Sequence, residues 1–411
     1  MKPRIHFHSD CDFFGGCENM LSVLFGNEKF RNEFDVSFSY GYSKEYDEGL
    51  DKRLKIPVKR YPIKTVLRYR GHKSGAYIFI LKALNNVFKY VYFAKNVYAI
   101  NRAIKKERPD IVHINNGGYP GAYSCSAAVY ASRLAGVERI IYVVNNTAFS
   151  GFSIRRKLDF WIDHYLAKNV SVFITGSLYA GKKLREVLWF DEKKYLNMPN
   201  TIFPRKADET PEETRKRLGI GNDEIIICNV SLLEERRGHK YIIMAFKELL
   251  EEFGGQYKLR LILEGNGPSK KDLEALASEY SLGDRMLFVE EKNVYNLFNA
   301  LDIFVMASIA LDDFPNVILE VMSVGKPVVG SRFAGIPEQV TDGINGYLFE
   351  PKNVEELKNA LKKLLMSEDL RKRMGEESKR IFNESFRQDI IVERYIGLYK
   401  SLLKEKIPLD T

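Results

Sequence analysis

The sequence predicts an α/β protein of two domains, each a parallel sheet wrapped by helices. Three observations carry that prediction. The chain has 411 residues and is 45% hydrophobic, which is too long for one ordinary domain and supplies enough apolar material for two cores. Short apolar runs alternate with longer segments of helical period through both halves, as expected of parallel strands joined by crossover helices. The formal charge of +9 is unevenly split: residues 1–200 carry 32 Lys/Arg against 18 Asp/Glu (+14), and residues 201–411 carry 31 against 36 (−5). That asymmetry suits two domains with different partners, the basic one facing something anionic.

In the first half, strands are expected at 4–8, 36–40, 111–114, 139–144 and 171–175, with helices such as 18–25 and 91–105 between them. The second half repeats the style, with strands at 224–230, 259–263, 286–289, 302–306 and 327–330 and helices at 239–253 and 270–280. Met198-Pro199-Asn200-Thr201-Ile202-Phe203-Pro204 and the charged stretch after it have linker composition. The domains are therefore placed at 1–202 and 203–385. A periodic terminal segment, with Ile391, Tyr395, Leu398 and Leu402 on one face, is expected to pack the helix of 386–411 back on the first domain.

No run of eighteen uncharged apolar residues occurs, and the first eight residues read as a strand rather than a signal peptide, so a cytoplasmic location is expected. Cys11, Cys17, Cys125 and Cys228 form no CxxC pair and read as reduced thiols. His6 and His8 share one face of a strand, but with Cys11 and Cys17 they match no common zinc spacing, and no metal is expected. Residues 51–100 hold twelve Lys/Arg and one acid, Asp51, interleaved with aromatic residues. No nucleic-acid module is visible in that stretch, and the mixture suits an anionic membrane surface reached through Lys52 to Lys73.

The most informative segment is Asp312-Asp313-Phe314-Pro315-Asn316-Val317-Ile318-Leu319-Glu320. It reads as a helix with Pro315 at its first position, where a missing N–H costs nothing. Glu320 is the single carboxylate on a helix that is apolar nearly all round, and its burial needs a hydrogen-bonding partner such as ligand hydroxyls. Asp312 falls in the loop after a parallel strand, where open α/β sheets bind ligands. The amides around Asn316 and Val317 offer a phosphate site. On spacing alone, Asp312 and Asp313 could equally be helix caps.

That segment, followed by Gly325-Lys326-Pro327-Val328-Val329, Ala334-Gly335-Ile336-Pro337-Glu338 and Asp342-Gly343-Ile344-Asn345-Gly346, resembles the donor-binding signature of family 4 retaining glycosyltransferases, with Asp312 where Glu is usual. The resemblance implies the GT-B architecture, two Rossmann-like domains facing each other across a cleft. It implies that Glu320 binds the nucleotide ribose, that Asp312 holds hydroxyls of the transferred sugar, and that Phe314, Pro315, Asn316 and Val317 present backbone amides to the diphosphate. In the loop Ser231-Leu232-Leu233-Glu234-Glu235-Arg236-Arg237-Gly238, Arg237 stands where the family carries Lys, and Ser231 stands where it often carries Arg. Arg236 and Arg237 would then face the phosphates, Arg237 stabilising the leaving diphosphate. Gly15 and Gly16 match the family's N-terminal glycine loop, and Gly265, in Glu264-Gly265-Asn266-Gly267, matches a wall of the nucleotide pocket.

One departure stands out. Where the family commonly has a His after the strand at 139–144, this chain has Asn145-Asn146, so Asn145 is expected to contact substrate without acting as a base. The implied reaction is metal-independent transfer, with retention, from a nucleotide-sugar donor to a hydroxyl of a glycan or lipid-linked acceptor in cell-surface polysaccharide or glycolipid synthesis. The donor phosphate would receive the acceptor proton. The alternatives are a catalytically silent GT-B scaffold that binds nucleotide or glycan, and a nucleotide-sugar epimerase.

Overall fold

The computed structural model describes residues 1–11, 18–54, 58–64, 76–149 and 158–404, the stretch 76–87 by its backbone alone. Gly15 and Gly16 lie outside the described residues, as does most of the stretch from Lys52 to Lys73. The chain forms two compact units, one of residues 1–200 and 388–411 and one of residues 201–387.

The first unit is a seven-stranded sheet built from β1 (Arg4–Ser9), β2 (Asp35–Gly41), β3 (Lys59–Ile63), β4 (Ile111–Asn116), β5 (Ile140–Val144), β6 (Val172–Thr175) and β7 (Tyr195–Asn197). Its strands are parallel in the order β3-β2-β1-β4-β5-β6-β7. The second unit is a six-stranded parallel sheet of β8 (Glu224–Val230), β9 (Lys258–Glu264), β10 (Met286–Val289), β11 (Ile303–Met306), β12 (Val328–Ser331) and β13 (Gly346–Phe349), in the order β10-β9-β8-β11-β12-β13. Both orders run outward from the first strand and then reverse, so each sheet has a topological switch point: between β1 and β4 in the first unit, and between β8 and β11 in the second.

The period-two alternation of each strand feeds two cores per unit. In β5, Ile141 and Val143 enter one cluster while Ile140, Tyr142 and Val144 enter the other. In β8, Ile227 faces one cluster while Ile226, Cys228 and Val230 face the other. Burying both faces explains why these strands read as continuous apolar runs.

The terminal helix Gln388–Lys404 belongs to the first unit, where Ile391, Val392, Tyr395, Ile396, Tyr399 and Leu402 join the cluster of Phe7, Phe25, Phe30 and Phe34. The Tyr399 hydroxyl bonds His113 Nδ1 at 2.8 Å, and the His113 ring lies 4.7 Å from that of Phe7. Burial drives the His113 pKa down to about 3, so the ring is a neutral member of the core. The long helix Ala76–Glu107 begins well before the 91–105 expected from periodicity. The expected helix start at Pro315 moves by one residue: the helix is Asn316–Ser323 and Pro315 caps it in an extended conformation.

Candidate functional site

The second switch point is formed by the loop after β8 and the loop after β11, and backbone hydrogen bonds fix both. Ser231 N donates to Glu264 O (3.1 Å), Leu233 N to Asn266 O (3.0 Å) and Ile309 N to Arg236 O (2.8 Å). Two glycines permit this closeness. Gly238 has φ +70°, and a Cβ there would meet Ala307 O at 2.1 Å; Gly265 has φ +127°, and a Cβ there would meet Ser231 O at 2.2 Å. Gly265 is thus demanded by loop packing.

Within this frame Arg237 Nη1 bonds Asp312 Oδ2, and the side chains of the pair are only 17% and 10% exposed. Ser308 Oγ donates to the same carboxylate oxygen at 2.7 Å, while Asp313 N donates to Asp312 Oδ1 at 3.2 Å. Asp312 thus has partners of its own in these two loops, and the capping position of the helix Asn316–Ser323 is held by Pro315. Burial lowers the pKa of Arg237 and the Asp312 carboxylate opposes that fall; a guanidinium stays charged under either influence.

Arg236 has a different task from its neighbour. Its Nε pairs with Glu234 Oε2 at 2.6 Å and its Nη1 donates to Leu311 O at 2.8 Å, so it joins the two loops. The other motif stretches brace the same place. Gly335 N donates to Asp313 O at 2.7 Å, and Gln339 Nε2 to Pro315 O at 3.0 Å, setting the turn from which Phe314, buried beside Phe386, leads into the helix. Asn316 and Val317 open that helix and are partly exposed. Pro315 has no amide to offer a phosphate. Lys326 serves the fold at the amino-terminal ends of the strands, before β12, donating to Asn299 O and Leu301 O at 2.8 Å each.

Glu320 is half-buried on the same helix. Its charge helps raise the pKa of Glu264, at the end of β9, to about 7. Burial is the main cause, the Glu291 amide hydrogen bond opposes it, and the carboxylates of Glu291, Glu290 and Glu320 reinforce it. The reading from sequence treated Glu264 only as part of a glycine turn. Ser308 was missed as well, being an unremarkable serine until the fold sets it beside Asp312.

In the first unit Asn145 lies at the end of β5. Its Nδ2 donates to Asn115 Oδ1 (2.7 Å) and Asn116 O (3.1 Å), so both amide hydrogens are used internally and Oδ1 is the atom left to meet a ligand. Each ring nitrogen of His6 and His8 bonds a serine, and among the described residues no group of three or more His, Cys, Asp and Glu could hold a metal ion. The chain does contain an Asp-x-Asp triplet, Asp10-Cys11-Asp12, after β1 rather than in the loop of Asp312; Asp12 lies outside the described residues. Among the described residues no helix is long and apolar enough to cross a membrane.

With that geometry in view, residues 211–381 match the family model described as glycosyl transferases group 1. An uncharacterized glycosyltransferase of Methanocaldococcus jannaschii is 30% identical over 274 residues, covering 65% of this chain and 69% of that protein. The chain belongs to the group 1 glycosyltransferases. The N-acetyl-alpha-D-glucosaminyl L-malate synthase of Bacillus anthracis is 30% identical to this group 1 protein over 201 residues, 49% of the chain but only 51% of the synthase. The crystal structure of Anabaena HepE in complex with UDP superposes with a TM-score of 0.75 at 18% identity, covering 98% of this chain and all of that one. At that identity the likeness shows a shared fold, the GT-B fold of two Rossmann-like domains.

Proposed function

We propose that this group 1 glycosyltransferase moves a sugar, with retention and without a metal ion, from a nucleotide-sugar donor bound by the second unit to a hydroxyl of a glycan or lipid-linked acceptor, in cell-surface polysaccharide or glycolipid synthesis. The observation that carries the reading is the Arg237–Asp312 pair at the β8/β11 switch point, beside the start of the helix Asn316–Ser323. Open α/β sheets bind ligands at this place. A guanidinium and a helix N-terminus there suit the two negative phosphates of a leaving diphosphate.

In this mechanism Arg237 turns from Asp312 toward the diphosphate as charge develops on it, and Asp312 takes hydroxyls of the transferred sugar. Glu320 accepts from the ribose, with Glu264 beside it. Asn145 cannot take a proton at neutral pH and both its amide hydrogens are engaged, so the acceptor proton passes to the departing phosphate on the face of attack. HepE binds UDP, which makes uridine the first base to try. The protein works in the cytoplasm, on an anionic membrane surface met by the basic stretch from Lys52 to Lys73; the twelve cations of residues 51–100 support that placement.

The test is turnover across UDP-, GDP- and ADP-sugars with EDTA present and then with Mn²⁺ added, the anomeric proton of the product being read by NMR. An α-linked product from an α-linked donor in EDTA is expected. Inversion, or strict dependence on Mn²⁺, would overturn the retaining or metal-free part of the reading. Binding without turnover would favour a scaffold, and release of an altered sugar without acceptor an epimerase.

A further inference from the structure

Among the described residues, the most exposed aromatic ring stands where the backbone is least willing to carry one. Trp189 follows the helix Leu178–Leu188 in the left-handed conformation, φ +50° and ψ +44°, a position that glycine commonly fills at a helix end because a Cβ is strained there. Its amide still closes the helix, donating to Arg185 O at 2.9 Å. From that turn, neighbouring rings part. Phe190 is buried and stacks on Phe173 with centroids 4.1 Å apart, while Trp189 is 73% exposed.

Trp189 forms one wall of a groove of about 300 Å³. The other wall is one face of the helix Phe160–Asn169, where Phe160, His164 and Lys168 recur at helical spacing. Phe160 meets Trp189 with centroids 6.0 Å apart at 64°, so the two rings make a corner. Leu188 and Phe190 give the groove an apolar, buried floor. Lys194 pins its far side, Nζ donating to Ala167 O at 2.9 Å and to Lys168 O at 2.8 Å in the last turn of that helix. The segment from Trp189 to Lys194 leads into β7. This end of the groove therefore lies by the amino-terminal ends of the strands, away from the edge where open α/β sheets bind ligands.

Composition selects the occupant. An apolar floor beside a bare indole face suits a ligand with one apolar face and polar edges. A pyranose ring is such a ligand: its C–H groups stack on the electron-rich face of the indole, and its hydroxyls reach the polar rim, here His164, Lys168 and Asp191. Charge narrows the class. Asp191 Oδ1 accepts from Lys193 N at 2.9 Å and Glu192 pairs with Arg185, whereas Lys168 pairs with no acid among the described residues. That cation suits the acid group of a charged sugar. A membrane fits less well, because exposed Asp191 and Glu192 follow Trp189 closely, and a surface lying on anionic headgroups sets cations beside its inserted rings.

We propose that the groove between Phe160 and Trp189 holds a pyranose unit of an acidic glycan, with the apolar face of the sugar on Trp189 and its acid group on Lys168.

Trp161 and Trp189 are the two tryptophans of the chain, so W161F makes indole emission a direct report on the groove. That emission should respond saturably to hexagalacturonate and more weakly to maltohexaose, which has pyranose rings and no acid groups. With Trp161 kept, calorimetry should give W189A an affinity for hexagalacturonate about ten-fold or more below that of the wild type, W189F retaining part of it. K168A should lose most of the preference for the acidic oligosaccharide and keep its affinity for the neutral one. Both side chains are exposed, so the melting temperatures of W189A and K168A should stay close to that of the wild type, which separates lost binding from lost folding. Unchanged binding by W189A, or a wild type that binds neither oligosaccharide, overturns the proposal. So does binding to phosphatidylglycerol vesicles, or self-association in the ultracentrifuge, that W189A abolishes and the oligosaccharides do not compete with; the ring would then face a membrane or a second copy of the chain. These measurements contain no nucleotide sugar, so failure here leaves the transferase reading standing.

Discussion

Arg237 and Asp312 reach each other across the reversal of strand order in the second sheet, one from the loop after β8 and the other from the loop after β11, and pair with little exposure to solvent. Neither loop can move without separating them. Arg237→Ala should therefore act twice. It removes a cation from the proposed diphosphate site, for which a loss of about 100-fold in kcat is expected. It also leaves a largely buried carboxylate uncompensated, costing ~3 kcal/mol of stability. Adding Asp312→Ala to that variant should recover part of the melting temperature and none of the turnover. If the double variant is as unstable as the single one, the ion pair does not govern stability here.

This relationship also marks how far the sequence could be read. Strand Glu224–Val230 and helix His239–Phe253 were legible to the residue, because apolar periodicity is uninterrupted and Gly238 marks the helix start. Strand β3 was not: Lys59-Arg60-Tyr61-Pro62-Ile63 carries two cations and a proline, tolerable only because it forms the sheet edge. Strand β7 has three residues, too few to show a period. In the site, Asp312 and Arg237 could each be picked out from motifs. Their pairing could not, being a contact between residues 75 apart. The shared face of His6 and His8 follows from alternation, but Ser37, Ser39 and Ser124 become their partners only once strand order and register are known.

Gly238 offers a test of the loop frame that leaves the charges alone. Its positive φ is strained for any residue with a side chain, and a Cβ would meet the Ala307 carbonyl at 2.1 Å. Gly238→Ala should cost about 2 kcal/mol and reduce turnover by displacing the adjacent Arg237. A variant with the wild-type melting temperature would mean that the two loops can part without penalty.

The terminal helix is tied to the first unit by apolar packing and by polar contacts, among them the buried one from Tyr399 OH to His113 Nδ1. Tyr399→Phe keeps the ring contacts with Phe30 and Phe34 and leaves a buried imidazole nitrogen without its partner. A loss of about 1 kcal/mol is expected in urea denaturation, with an unchanged m-value. A change in the m-value would instead indicate that the helix had come away from the unit.

Glu264 should leave a signature in the pH dependence of stability. Its pKa is raised to about 7 by burial and by the carboxylates of Glu291, Glu290 and Glu320, whereas an unfolded Glu titrates near 4.3. The folded state therefore holds this proton more tightly than the unfolded state. The stabilisation is complete below the unfolded pKa and is lost as pH rises through the folded one. Glu264→Gln keeps the shape and removes the titration, so the two proteins should be most alike near pH 4. The variant should then gain on the wild type up to about pH 7 and hold a constant margin beyond it, up to about 4 kcal/mol. The buried histidines, which titrate in the opposite sense, are common to both proteins and cancel in the difference. Parallel melting curves from pH 4 to pH 8 would show that Glu264 ionises normally. The three carboxylates around it would then be separated well enough for water to screen them.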